Sequence, residues 1–210
     1  MDVIVSKSVW NYHLHEGLAA VPQWRREQAM SYRRETDMRQ CVLAYLLLQR
    51  ALRRYGVDEP PVFDRLAHGK PVLRGHEHLH FNLSHCERGV VCALGRVPVG
   101  VDVEAVRPVD EDVMRRVLSP EELHRVGRSA DPSQDFARLW TRKESFLKLT
   151  GEGLVDDLPG LDTGSASIIT RDYYSFPDGG FVLSLATSAP VTTFSFEMVD
   201  NPLLENVNTQ

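Results

Sequence analysis

Apolar positions along the chain change spacing several times, and each change marks the border of an element. Val3 to Trp10 reads as a first strand, and Gln23 to Tyr55 as one or two helices. Within that helical stretch, Cys41 to Leu48 is apolar nearly all round, which predicts a central helix. Gly56 to Pro61 contains a glycine and two prolines and breaks the pattern. Residues 80–84 and 90–94 read as paired strands around a turn at Cys86 to Gly89, and Val99 to Val103 forms another strand. Helices follow near 111–118, 120–126 and 133–150. The second opens on Ser119-Pro-Glu-Glu122, a serine cap with proline in the first turn and a glutamate closing a capping box. After Gly164 the period returns to two, predicting strands at 167–170, 173–176, 181–186 and 192–197, with a hairpin turn at Asp178-Gly-Gly180. The polar end from Asn201 to Gln210 is expected to fray. The order strand, helices, then strands occurs twice, without a convincing sequence repeat.

Two of these elements carry chemistry. In Val99-Gly-Val-Asp-Val-Glu104 the alternation puts Asp102 and Glu104 on one side of a strand, about 6–7 Å apart. Two carboxylates so placed repel each other unless a cation lies between them. Oxygen ligands without a nearby Cys–His cluster favour a hard ion, magnesium above others. The plainer reading is an edge strand with acids on its wet face. In the last helix Phe136, Trp140, Glu144 and Lys148 recur every four residues and share one side. An ordinary surface Glu–Lys pair accounts for part of this, but not for a carboxylate and an ammonium in line with two aromatics. Gly151 and Gly153 end the helix.

Charge changes the picture in one place. The chain carries −5 overall, yet residues 25–54 hold eight arginines against three acids, a local +5 that leaves −10 for the rest. Such a concentration suits a polyanionic ligand or an acidic partner; a solvated helix face explains part of it. No nucleic-acid motif accompanies the arginines, and the whole chain is acidic, so no nucleic acid is expected. Hydrophobic content of 42% is that of an ordinary soluble protein. Three cysteines without ligand spacing predict a reducing compartment, and no apolar run is long enough to span a membrane. The N-terminus lacks the marks of a signal peptide, so a cytoplasmic location is expected.

Taken together, Gly100-Val-Asp-Val-Glu104 and, about forty residues later, Trp140-Thr-Arg-Lys-Glu-Ser-Phe-Leu-Lys148 resemble the 4′-phosphopantetheinyl transferase superfamily. Gly69-Lys70-Pro71, Phe81-Asn-Leu-Ser-His85 and Gly151-Glu-Gly-Leu154 extend the similarity in the family's order. The chain length points to the surfactin-synthetase-activating (Sfp) type, a monomer. The resemblance implies two similar α+β halves related by a pseudo-two-fold, residues 1–100 and 101–210, with the active site at their junction. It implies transfer of the 4′-phosphopantetheine arm of coenzyme A to a serine hydroxyl of an apo acyl or peptidyl carrier protein, releasing adenosine 3′,5′-bisphosphate. Asp102, Glu104 and Glu144 would hold magnesium, or manganese in its place. Glu144 and Lys148 would be catalytic, and Lys148 would also contact the phosphates. Arg39, Lys70, Ser84 and His85 would bind coenzyme A, chiefly at its nucleotide end. Trp24 and Glu27 depart from the basic residues expected there, which leaves the roles of the N-terminal arginines open. Glu122 aligns with an acidic position of the family but is equally explained by its capping box. The competing function is a non-catalytic carrier-protein-binding module of the same fold. A different magnesium-dependent phosphoryl enzyme is disfavoured by the lack of a phosphate-cradling glycine loop.

Overall fold

The computed structural model describes residues 1–151, 153, 155, 157–175, 179–201 and 203. Glu152 and Leu154 of the glycine-rich segment, Asp178 of the expected hairpin turn and nearly all of the expected frayed tail lie outside the described residues.

The chain is α+β. It runs β1 (Asp2–Ser6), α1 (Leu14–Ala20), α2 (Gln23–Met30), α3 (Glu35–Arg53), β2 (Phe63–Arg65), β3 (Pro71–Leu73), β4 (His80–Cys86), β5 (Gly89–Gly95) and β6 (Val99–Ala105). It continues through α4 (Glu111–Val117), α5 (Pro120–Gly127), α6 (Pro132–Thr150), β7 (Ser167–Ser175), β8 (Gly179–Thr187) and β9 (Ser195–Val199). The first strand stops at Ser6 rather than Trp10, and the strands expected at 167–170 and 173–176 form one continuous β7 as far as Ser175, with Phe176 outside the described residues. The capping box at Ser119 and Glu122 is formed, with both reciprocal hydrogen bonds present.

Two sheets are packed face to face. The first has the order β4-β5-β1-β9 and the second β6-β8-β7. Strand alternation divides β1: Ile4 turns to α3, whose buried Leu43, Leu47 and Leu48 cover that face, while Val3 and Val5 turn to the second sheet. There they meet Val91 and Ala93 of β5 and Val101, Val103, Leu183 and Leu185 of the second sheet. The remaining face of the second sheet receives α6. Strand β9 pairs in parallel with β1, so it joins the sheet that β1 began. Arg50 on α3 forks onto Glu197 of β9 (2.6 Å), and Arg54 bridges Glu197 to Asp2 of β1.

Strand β6 pairs with β8 along one edge. Its backbone also meets side chains of β4: Val101 N–H donates to Asn82 Oδ1 (2.9 Å) and Val103 N–H to Ser84 Oγ (3.3 Å). Those two residues of Phe81-Asn-Leu-Ser-His85 thereby satisfy backbone donors of the strand that carries the acids.

Candidate active site

The site lies where β6, β4 and α6 meet. Gly100 makes the meeting close, because it lets the backbone of α6 rest directly on β6. Asp102 on β6 is buried, at 4% exposure. Its Oδ1 accepts from Lys148 Nζ (2.6 Å) and from Ser84 Oγ (2.8 Å), and Lys148 Nζ also donates to Ser84 Oγ (2.9 Å). Asp102 Oδ2 is buried with no partner. Glu104, two residues on, accepts from Trp140 Nε1 (3.1 Å), and Trp140 stacks on Phe136 one helical turn away. Burial pushes the Glu104 carboxyl above the usual range and the Asp102 charge adds to it. Glu144 is raised for the same two reasons, against the pull of Lys148. These are crowded carboxylates facing one ammonium.

An orphaned buried carboxylate oxygen, flanked by two acids that burial makes costly to ionise, is the setting that a hard cation relieves. Asp102, Glu104 and Glu144 therefore fit magnesium in donor type. As the side chains stand, no three His, Cys, Asp or Glu groups among the described residues close to metal-binding distance. Two cavities flank the cluster, one reaching Glu144 and the other Glu104. One is an open groove of about 310 Å³ lined by Gly69, Pro71, Asn82, Glu144, Lys148 and Gly151, among others. The other is lined by Glu104, Arg107 and the apolar Val109, Val113, Phe136 and Trp140.

The remaining candidates fall into two groups. Ser84 is part of the carboxylate cluster itself. His85 follows it in β4 as an exposed residue; desolvation of its ring lowers its pKa, as does the charge of Lys148. Lys70 lines the groove, but its ammonium donates to three backbone carbonyls, of Val99 (3.2 Å), Lys148 (2.6 Å) and Leu149 (3.0 Å). Arg39 stands apart from the carboxylates. Its guanidinium pairs with Glu35 (2.7 Å), donates to Tyr12 O (2.8 Å) and lies over the rings of Trp10 and Tyr12.

Lys143 is a residue that the sequence patterns left without a role. It is 3% exposed, and its ammonium donates to Val117 O, Glu122 Oε2 and Leu158 O at 2.8–2.9 Å. All three donors are satisfied, so Lys143 ties α4, α5 and the segment after α6 to the residue preceding Glu144. No local pattern in the sequence marks this pairing, which joins residues 21 apart on two different helices.

One buried and two half-buried acids with one lysine lie between two openings at a sheet–helix junction, the arrangement of a class of protein that handles charged ligands. The comparisons give that class its family. A model of the 4′-phosphopantetheinyl transferase superfamily matches residues 98–177, the segment containing both β6 and α6. A 4′-phosphopantetheinyl transferase of Bacillus subtilis is 33% identical over 168 residues, covering 77% of this chain and 74% of that protein. The psf-1 enzyme of Bacillus pumilus is 34% identical and Sfp of Bacillus subtilis (strain 168) is 31% identical, each over 134 residues. Those two alignments span 58% and 60% of the relatives' lengths. The chain belongs to the 4′-phosphopantetheinyl transferase superfamily, as an enzyme of the Sfp type.

Proposed function

We propose that the protein transfers the 4′-phosphopantetheine arm of coenzyme A to a serine of an apo carrier protein with magnesium, releasing adenosine 3′,5′-bisphosphate. The observation that carries this reading is buried Asp102, whose Oδ1 holds the Lys148 ammonium and whose Oδ2 has no partner, with Glu144 near enough to feel both charges. Asp102, Glu104 and Glu144 would hold the ion, which when bound would neutralise charge on the diphosphate. The two cavities that flank the acids suit a reaction of two substrates: the groove along Gly69, Asn82 and Lys148 for coenzyme A, the pocket beside Glu104 for the carrier.

In the reaction the serine oxygen bonds to the phosphorus bearing the pantetheine arm, and the bond from that phosphorus to the bridging oxygen breaks. The electron pair leaves with adenosine 3′,5′-bisphosphate. Catalysis of this kind is mostly positioning and charge neutralisation. Lys148 offers its ammonium to the departing phosphate, and Glu144 accepts the serine proton, directly or through water. Ser84 and His85 face the phosphates, and Arg39 serves the nucleotide end of coenzyme A. The halves 1–100 and 101–210 act in one chain, a cytoplasmic monomer.

Incubation with magnesium, coenzyme A and an apo carrier protein tests the reading. A serine-linked mass gain of the phosphopantetheine arm, lost in Asp102→Ala and Glu144→Ala while both remain folded, is the expected result. Full activity in either variant would overturn the carboxylate assignment. Carrier binding without modification by the unaltered protein would leave a non-catalytic module.

A further inference from the structure

We propose that Lys70 is a positioning residue, a clamp on the end of α6, and that its ammonium is not a ligand of coenzyme A. The inference rests on the function proposed above. Gly69 adopts φ +83, a conformation that glycine supplies without steric cost. It closes the β2–β3 turn, in which Gly69 N–H donates to Leu66 O and Leu66 N–H to Lys70 O. Lys70 leaves that turn with its side chain crossing the C-terminus of α6. The two pass closely at Gly151, also at positive φ (+74), where a Cβ would lie 3.3 Å from Lys70 Cδ.

The last carbonyls of a helix have no partner within it, and the negative end of the helix dipole attracts a cation. Leu147 O is taken by Gly151 N–H. Lys70 takes the next two, Lys148 O and Leu149 O, and adds Val99 O at the start of β6. An ammonium has three donors, and all three are used. The clamp thereby fixes the backbone of Lys148, whose own ammonium sits on Asp102 and Ser84, to the strand that carries Asp102. Lys70 acts on the reaction through Lys148 rather than by touching the phosphates.

Lys70→Met keeps the stem along the groove and removes the donors. In the ligand-free protein, amide exchange over residues 147–151 should accelerate while that of α3 stays unchanged. In the transfer assay kcat should fall by about ten- to a hundredfold, the penalty of a misplacement of order an ångström. KM for coenzyme A should stay within about twofold. Unchanged exchange, or a raised KM with kcat retained, overturns the clamp and makes Lys70 a coenzyme A ligand. Lys70→Arg keeps the charge that a phosphate would need but not the compact three-donor head. It should show the same loss of kcat and faster exchange, and it carries both readouts if the methionine variant does not fold. Wild-type kcat and exchange in Lys70→Arg would overturn the proposal. If the unaltered protein transfers nothing, the proposed function falls, and the exchange measurement alone decides the role of Lys70.

Discussion

A Cβ placed on Gly100 would lie 2.0 Å from the carbonyl oxygen of Ser145 and 2.3 Å from the backbone nitrogen of Leu149. Strand and helix thus touch backbone to backbone, and neither atom belongs to a side chain that could turn away. This contact brings Glu144 and Lys148 beside Asp102. Gly100→Ala must push α6 off β6, at a cost of about 1–3 kcal/mol or more. Transfer should fall further than stability accounts for, because the displaced helix carries half of the cluster. Denaturant melts and kcat measured together check this, and a variant that matches the wild type in both would show that the close approach is dispensable.

Lys148 Nζ lies 2.6 Å from Asp102 Oδ1. If its charge acts mainly on the departing phosphate, Lys148→Ala should lower kcat by about a hundredfold or more while KM for coenzyme A changes little. The alternative outcome, a raised KM with kcat intact, would make it a ground-state ligand.

The Lys143 ammonium is almost wholly enclosed and paired with Glu122 at 2.8 Å. Removing the ammonium leaves partly exposed Glu122 without this partner and the Val117 and Leu158 carbonyls without a donor, at about 1–3 kcal/mol. Lys143→Met should lose stability on that scale. Adding Glu122→Gln should cost less than the two single changes together, measured by a double-mutant cycle in urea. Strict additivity would mean that the pair is not coupled.

The acids of β6 and the row Phe136, Trp140, Glu144 and Lys148 were legible in sequence because each follows a period within one element. The faces that these periods predict are the faces that meet. The β2–β3 hairpin was not legible, since strands of three residues carry no period. Helix α1 was missed for a related reason: it spans seven residues, and Gly17 is its only buried position. The parallel pairing of β9 with β1 joins positions about 190 residues apart, and no local pattern encodes it. Side-chain partners are harder still. That Lys70 would find carbonyls of α6, or Arg39 the loop at Trp10 and Tyr12, depends on how distant segments fold together.

Arg39 offers a way to test the nucleotide end. Its guanidinium is mostly covered, with 11% of the side chain exposed, and is already oriented by Tyr12 O and Glu35. Charge-assisted contacts to a phosphate are strong when preorganised. Arg39→Ala should narrow the preference for coenzyme A over dephospho-coenzyme A by about tenfold, a loss within the range for one charged hydrogen bond. An unchanged preference, by titration calorimetry of both ligands, would confine Arg39 to holding the N-terminal loop.

The β9 connection should make stability depend on acid in a predictable direction. Hydrogen bonds from Arg50 hold the Glu197 carboxyl below its ordinary range, with further help from the charge of Arg54. A group whose pKa is depressed on folding contributes stability that is present above its unfolded value, about 4.3, and is lost as pH falls through the folded one. Glu197→Gln should therefore cost roughly 1–3 kcal/mol at pH 7. The difference from the wild type should shrink as the pH drops below about 4, where the wild-type carboxylate is itself being protonated. Urea unfolding at pH 7 and pH 3 measures both gaps. Equal gaps at the two pH values would mean that packing of β9 on β1, rather than the arginine fork, gives Glu197 its contribution.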